Sequence, residues 1–325
     1  MLEVKVFAES VAEQMKDYLP PELQDMECRV TEQQKNNGVM RVGISCRMPG
    51  SRTEPLIYME SFYEMVQQGE PLDSVMEIIA QEMEASSKVR FTARETHMES
   101  YDEAKAHLSV RLINTNANRR MLKSVPHKDM ADLSAVCCVE IPLPDNGIGS
   151  IRITNSILER WDVGKEEVFE CAIKNMQESN PPIMADMEAT VLGALAGTLP
   201  EQDNLLVQTG NMDKPSDFLS MHYILTNRNK SYGAAVLMCP DVMEKISGMF
   251  PEGFYILPSS IHDLIIVPKD GKEDPKKLGE LVRKVNRQHV SGEEVLSDRV
   301  YEYDREQGRI NFVPESVERA KEKER

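Results

Sequence analysis

The sequence predicts an α+β fold in which mixed or antiparallel sheets are packed against helices. Segments with strand-like alternation come in adjacent groups rather than singly between helices, which disfavours a doubly wound parallel sheet. Turn signals such as Asn36-Asn37-Gly38 and the 304–308 segment join neighbouring strands directly, as in hairpins. We therefore expect local strand pairing throughout the chain.

The length of 325 residues favours two domains of ordinary size. An N-terminal α+β domain is predicted at 1–130 and a C-terminal α+β domain at 131–313. The charged residues from 314 to 325 are predicted to form a tail that is frayed or helical.

Periodicity predicts the elements of the first half. An apolar stripe from Val4 to Tyr18 indicates a helix that Pro20 ends, and strands are expected around 26–30 and 40–48. The remaining expectations, in chain order, are helices at 57–68 (capped by Gly69) and from Pro71, a strand at 108–112, a short helix at 116–125, a strand buried on both faces at 134–141 and a turn at 144–147 followed by its partner strand.

From Trp161 onward the predicted order is α-β-β-β-α-β-β-α. The strands are expected at 205–209, 223–227, 234–239, 254–257 and 264–267, after a helix around 187–195, and a final hairpin is expected at 300–313. The helix opened by Asp274 should pack its apolar face, Leu278, Leu281, Val282 and Val285, on the strand at 264–267. This order resembles secretion-chaperone-like folds, which bind partner polypeptides, and it implies a binding role only by analogy.

The charge and composition exclude several classes of protein. A net charge of −16 disfavours binding to nucleic-acid phosphates and to anionic membranes. The chain has no apolar run long enough to span a membrane and no secretory signal, so a cytoplasmic location is expected. The six cysteines form no C-x-x-C pair and are expected to be reduced. The 20 methionines suit either an irregular core or an adaptable binding surface.

Signatures of cofactor and metal sites are missing from the sequence. It contains no P-loop and no G-x-G-x-x-G segment after a strand, and the glycines at 147–149 and 193–197 are interpreted as turn or packing residues. The six histidines are scattered and no Cys/His cluster has zinc spacing. We therefore predict neither a cofactor nor a metal.

The segment 259–263 is the most suggestive of chemistry, because Ser260, His262 and Asp263 supply the residue types of a nucleophile, a base and an orienting acid. Adjacency in sequence is not the geometry of a triad, and the same residues suit a polar turn in which Pro258 fixes the bend and the side chains bind free backbone groups. The sequence leaves both interpretations open and favours the structural one.

Several short segments spread over nearly the whole chain carry a family resemblance: Asn36-Asn37-Gly38, Pro55–Tyr58 with Phe62-Tyr63, Arg111–Asn114, Leu122 with Val125-Pro126, Trp161, Tyr255–Asp263 and Leu296–Tyr301. In these segments the chain resembles an uncharacterised bacterial family, one of the domain-of-unknown-function families, found mainly in anaerobic gut bacteria and often in mobile DNA. The second half is also distantly similar to another uncharacterised bacterial family. Neither resemblance implies an activity or a catalytic residue.

Two hypotheses for function follow. The first is a non-enzymatic protein-interaction module, an adaptor or chaperone-like protein whose partner is another protein. The second is an unrecognised hydrolase that uses Ser260, His262 and Asp263. A hydrolase needs these side chains to converge in a concave site, whereas an interaction module needs an exposed apolar patch or an unpaired strand edge.

Overall fold

The computed structural model describes residues 2–49, 54–87, 97–142, 148–188, 190, 204–207, 222–271 and 273–314. The described residues before position 88 form one compact unit, and those from position 97 onward form another. All strand pairs among the described residues are antiparallel. Helices pack against these sheets, so the predicted α+β fold class is confirmed. The domain boundary near residue 130 stays a prediction; Met130 itself lies in a strand of the second unit.

The first unit packs helices on one three-stranded sheet with the order β1-β2-β3. Its core comes from both layers and includes Val11, Met15, Ile44, Phe62 and Ile79. Its elements are α1 (Leu2–Gln14), β1 (Glu27–Gln34), β2 (Met40–Arg47), β3 (Leu56–Tyr58), α2 (Glu60–Gln67) and α3 (Leu72–Ser87).

The predicted hairpin between β1 and β2 is confirmed, and Asn37 (φ 57°) and Gly38 (φ 71°) adopt the left-handed conformation at its turn. The prediction of a helix from residue 57 is wrong at its start, because residues 56–58 pair with β2 as β3. The helix begins only at Glu60, whose carboxylate accepts the Val42 N–H at 2.7 Å.

The second unit contains a four-stranded sheet built around β6. On one edge β6 pairs with β4, and on the other edge β5 and β7 pair with successive halves of it. The predicted strand at 134–141 is thus confirmed as the centre of this sheet, whereas the sequence did not predict β5. The elements are α4 (Tyr101–Ala104), β4 (Leu108–Asn114), α5 (Arg119–Leu122), β5 (His127–Met130), β6 (Leu133–Pro142), β7 (Ile148–Arg152), α6 (Asn155–Trp161) and α7 (Lys165–Ser179).

The same unit contains a six-stranded sheet with the order β13-β12-β10-β11-β9-β8. The largest core cluster includes Leu112 of β4, Cys137 of β6 and Ile266 of β11, so both sheets contribute to one core. The elements are β8 (Pro182–Asp186), β9 (Tyr223–Asn227), α8 (Pro240–Met249), β10 (Phe254–Pro258), β11 (Leu264–Pro268), α9 (Pro275–His289), β12 (Tyr301–Asp304) and β13 (Arg309–Phe312).

The strand predicted at 234–239 is a 3₁₀ helix, Gly233–Met238, so this part of the predicted element order is wrong. The run is apolar and is buried from Gly233 to Leu237, and periodicity cannot separate a buried helix from a buried strand in so short a segment. Pro182–Asp186 forms a strand that the sequence did not predict. Residues 205–207 of the strand expected at 205–209 form a turn, so this prediction is wrong where it is described. The turn at 144–147, residues 208–209, most of the expected helix at 187–195 and residues 315–325 of the expected tail lie outside the described residues.

The predicted contact of α9 with the sheet is only partly correct. Leu278 and Val282 are buried against Leu257 and Val267 on the outer face of β10 and β11. Leu281, however, is 50% exposed. The buried stripe continues through Asn286 instead, because residues 278, 282 and 286 follow each other at steps of four, whereas Leu281 lies on the flank of the helix.

Candidate functional site

The segment 259–263 forms the tight turn between β10 and β11. The paired residues next to this turn are Pro258 of β10 and Leu264 of β11. The Ser260 N–H donates to the Asp263 carbonyl oxygen at 3.1 Å. The Ser260 hydroxyl oxygen accepts the His262 N–H at 2.9 Å. These two bonds satisfy backbone groups inside the turn, as the structural interpretation of the sequence expects.

The His262 ring is directed away from Ser260. Its Nδ1 accepts the backbone N–H of Tyr232 at 3.1 Å, which leaves the proton of the neutral ring on Nε2. That Nε2 lies 3.5 Å from Oε1 of Glu294. Neither ring nitrogen is therefore oriented to accept a proton from the Ser260 hydroxyl.

Bonds from three other segments fasten this turn. The Thr226 hydroxyl donates to the His262 carbonyl at 2.8 Å, and Ala234 N–H donates to the Ile261 carbonyl at 3.3 Å. Ile261 N–H donates to the Glu294 carbonyl at 2.9 Å. The backbone of the turn is thus held by β9, by the 3₁₀ helix and by the segment after α9.

Gly233 permits this close approach of the 3₁₀ helix to the turn. A Cβ on Gly233 would overlap the Thr226 hydroxyl and would lie 2.5 Å from the His262 carbonyl oxygen. Because carbon and oxygen atoms do not approach so closely without bonding, any larger residue would push the 3₁₀ helix away from the turn.

A stack of three side chains lies beside the turn. The Arg111 guanidinium lies 3.7 Å from the centre of the Tyr232 ring, and the centres of the Tyr232 and His262 rings are 5.4 Å apart. Tyr232 adopts φ 54°, which is uncommon for an aromatic residue. Nε of Arg111 is buried without a hydrogen-bond partner among the described residues, and the guanidinium lies over the face of the tyrosine ring as in a cation–π contact.

Asp263 is the acid of the turn, and burial raises its pKa above the ordinary value. Its carboxylate lies 3.5 Å from the Ser260 hydroxyl, which is at the limit of a hydrogen bond. The turn thus brings Ser260, His262 and Asp263 close together but does not connect them as a nucleophile, a base and an orienting group.

No sequence pattern places Tyr232 or Glu294 beside His262, and Arg111 stands out only as one of the residues that carry the family resemblance. Tyr232 and Glu294 lie 30 and 32 positions from His262, beyond the reach of any local pattern. The lone sequence signal for this contact is Gly233, which indicates a constraint on the backbone there but does not say which residue lies against it.

A second group of polar side chains joins the two sheets of the second unit. The Asp132 carboxylate accepts the Tyr301 hydroxyl at 2.6 Å and the Ser297 hydroxyl at 2.9 Å. Asn114 donates to the Leu296 carbonyl at 3.0 Å. Two segments that carry the family resemblance, 111–114 and 296–301, thus meet in a partly buried structural network.

The two edges of the six-stranded sheet differ. On β8, Asn204 accepts the Met184 N–H at 3.0 Å and donates to the Pro182 carbonyl at 3.0 Å. Leu205 N–H donates to the Met184 carbonyl at 2.9 Å, so this edge is covered. On β13, Val313 N–H donates to the Val300 carbonyl at 3.0 Å, and Phe312 is 46% exposed.

The described residues contain no group of three or more His, Cys, Asp or Glu side chains that could hold a metal ion. His97 and His107 stack with ring centres 3.8 Å apart, and their arrangement supplies only two nitrogen ligands.

Gly147 and the 193–197 glycines lie outside the described part of the chain. Among the helices of that part, none is long and apolar enough to cross a membrane.

A protein-family model described as a family of unknown function, DUF5688, matches residues 4–305. The chain belongs to DUF5688. The resemblance to an uncharacterised family of this kind is thereby confirmed. No curated protein and no solved structure matches the chain. Membership of DUF5688 assigns no activity to the chain.

Proposed function

We propose that this DUF5688 protein is a non-enzymatic module of the bacterial cytoplasm, an adaptor or chaperone-like protein that binds an extended segment of a partner protein along β13. The observation that carries the proposal is the difference between the two edges of the six-stranded sheet. Asn204 and Leu205 cover the β8 edge, whereas β13 pairs only with β12 within the described residues.

The backbone of β13 has groups available for a further strand. In an antiparallel pair, residues alternate between those that bond the partner strand and those whose N–H and C=O face away. Because Val313 N–H bonds Val300, the pairs of Asn311 with Glu302 and of Arg309 with Asp304 are the bonded ones. The N–H and C=O groups of Ile310 and Phe312 therefore face away from β12. They are oriented to form backbone hydrogen bonds with a strand that a partner adds to the sheet.

The side chains of β13 indicate the chemistry of the partner. Phe312 is exposed at the end of the strand, and its ring lies 5.8 Å from the Arg299 guanidinium. Arg309 is exposed at the other end. Residues directly opposite each other on paired strands interact, so a suitable segment places an apolar residue opposite Phe312 and an acidic residue opposite Arg309. Four residues of strand favour weak, transient binding.

The hydrolase remains the second candidate because Ser260, His262 and Asp263 share one turn. The orientation of His262 toward Tyr232 and Glu294 favours a structural role for them. We expect Ser260→Ala to leave any activity found for the protein largely intact. A loss of about 100-fold in turnover with an unchanged fold would favour the hydrolase instead.

The test is selection of linear peptides from a random library on the full-length protein, followed by hydrogen exchange on the complex. We expect selected peptides to combine an apolar and an acidic residue at the spacing of Phe312 and Arg309, and to protect the amides of Ile310 and Phe312. Phe312→Pro removes one outward N–H without removing a bond to β12. It should weaken peptide binding by about tenfold or more.

Ile148→Pro is the matched control, because Ile148 is also exposed and also lies at one end of an edge strand. Its N–H faces away from β6 by the same alternation, since Ile153 N–H bonds Cys137. The control should change the affinity by less than about twofold. Selected peptides that protect other amides, or that bind Phe312→Pro as well as the unmodified protein, would refute the proposal.

A further inference from the structure

Cys28 of β1 and Cys46 of β2 face each other directly across the hairpin of the first unit. Their sulfur atoms are 3.7 Å apart. All six cysteines of the chain are free. The neighbours Cys137 and Cys138 lie on one strand, where successive side chains point to opposite faces, so adjacency there does not bring their sulfur atoms together in the same way.

The backbone at Cys28 and Cys46 is already at a distance that suits a disulfide. Cys46 N–H donates to the Pro55 carbonyl at 3.0 Å, so Cys46 directs its backbone bonds toward β3 and is not hydrogen-bonded to Cys28. Opposed residues of this non-bonded type have Cα atoms about 4.5 Å apart, near the lower end of the range in disulfides, about 4.4–6.8 Å. Rotation of the side chains can close the remaining gap between the sulfur atoms.

The two thiols have different environments. Cys28 is half-buried on β1, which is an edge strand of its sheet, whereas Cys46 is buried. Hydrogen bonding with the Cys46 sulfur and the nearby Lys16 ammonium hold the pKa of Cys28 below its ordinary value, against the opposing effect of burial. The same bond to Cys28 and burial raise the pKa of Cys46. Cys28 is thus suited to react first and Cys46 to react second.

The remaining cysteines lack this combination. Burial raises the pKa of Cys137, Cys138 and Cys239. The Cys171 thiol donates to the Lys105 carbonyl at 3.3 Å. Cys171 is half-buried like Cys28, but its thiol bonds a backbone carbonyl and not a second cysteine. It therefore shows how much reactivity solvent access alone gives to a cysteine of this protein.

We propose that Cys28 and Cys46 form a reversible redox site, which hydrogen peroxide or a small disulfide such as oxidised glutathione converts to a disulfide between β1 and β2. With peroxide, the Cys28 thiolate attacks one oxygen, the O–O bond breaks, and a sulfenic acid and hydroxide form. The Cys46 thiolate then attacks the Cys28 sulfur and displaces a second hydroxide. The two thiol protons convert both hydroxides to water, so two thiols lose two electrons and the peroxide gains them.

With oxidised glutathione, the Cys28 thiolate attacks one sulfur and releases glutathione as a thiolate, which gives a mixed disulfide. The Cys46 thiolate then attacks the Cys28 sulfur, forms the internal disulfide and releases the second glutathione thiolate. The released thiolates take up the two thiol protons. Excess reduced glutathione reverses both exchanges, so the site responds to the ratio of the two forms.

The test treats the full-length native protein with peroxide or oxidised glutathione, alkylates the remaining thiols after unfolding and maps the peptides. Trypsin places Cys28 in Asp17–Arg29 and Cys46 in Val42–Arg47, with cleavage sites between them. We expect a disulfide to join these two peptides and reduction to separate them. The other four cysteines should be recovered in the alkylated form.

Variants separate the two steps. Cys46→Ser should stop the reaction at a sulfenic acid or a glutathione adduct on Cys28, Cys28→Ser should abolish both products, and the control Cys171→Ser should form the joined peptide as the unmodified protein does. If Cys28 and Cys46 stay alkylated under oxidant excess, or if Cys171 reacts before Cys28, the proposal fails. Should a variant not fold, the peptide map of the unmodified protein decides alone.

Discussion

At the scale of single residues, burial makes ionisation of Asp263 less favourable in the folded protein than in water. Its pKa is raised by desolvation, against the opposing effects of His262 and the Ser260 hydroxyl. A carboxyl with a higher pKa in the folded state binds its proton more tightly there. Its stabilising effect is therefore fully present below the unfolded pKa and is lost as the pH rises through the folded pKa.

Asp263→Asn removes this ionisation, so we expect it to raise the free energy of unfolding near about pH 7 relative to the unmodified protein. The difference should shrink toward about pH 3, where Asp263 is protonated in both states. Urea unfolding at the two pH values measures it. Asp25→Asn, at an exposed position, serves as the control. A difference that grows on acidification would show that ionised Asp263 stabilises the fold.

Sequence could predict the turn itself but not the residues around it. Pro258 and the serines indicate a corner by their own backbone preferences. Tyr232 and Arg111 reach His262 only because β4, the 3₁₀ helix and the β10–β11 turn converge. A positive φ is unfavourable for a tyrosine. Tertiary contacts therefore have to impose the φ that Tyr232 adopts.

At the scale of elements, the buried stripe of α9 predicts which leucine stabilises the helix. Leu278 is 4% exposed and packs on the sheet, whereas Leu281 is 50% exposed. Leu278→Ala should lower the free energy of unfolding by about 2–5 kcal/mol, because it leaves a cavity. Leu281→Ala should change it by less than about 0.5 kcal/mol. Equal losses in chemical denaturation would mean that Leu281 is covered in solution.

Elements bounded by strong backbone signals were predictable. Asn37 and Gly38 turn the β1–β2 hairpin and Gly308 (φ 60°) turns the β12–β13 hairpin, because these residue types tolerate positive φ. Among the apolar segments that were assigned to the wrong element, two have a clear tertiary cause. Leu56–Tyr58 is a strand because β2 offers it a partner, and Gly233–Met238 is helical because it lies over β9; in both cases tertiary packing overrides the local pattern.

At the scale of the whole molecule, the net charge of −16 predicts that duplex DNA is not bound. Affinity for phosphates rises with the number that Lys and Arg neutralise, and it falls steeply with salt. Fluorescence anisotropy with labelled duplex DNA at low salt should therefore show no binding at micromolar protein. Binding with a steep salt dependence would contradict the prediction and would indicate a local basic groove.

The bonds of Asp132 have a consequence for synthesis of the chain. Its two carboxylate oxygens receive hydroxyl groups from Ser297 and Tyr301, which lie 165 and 169 positions later. Such distant contacts form late and slow folding. When the ribosome has made the sheet of β4 to β7, Asp132 still lacks both donors, and at about 5–20 residues per second it waits roughly 10–30 seconds for them. During that interval the nascent second unit is expected to depend on chaperones, and a chain that ends before Ser297 should be degraded rather than accumulate.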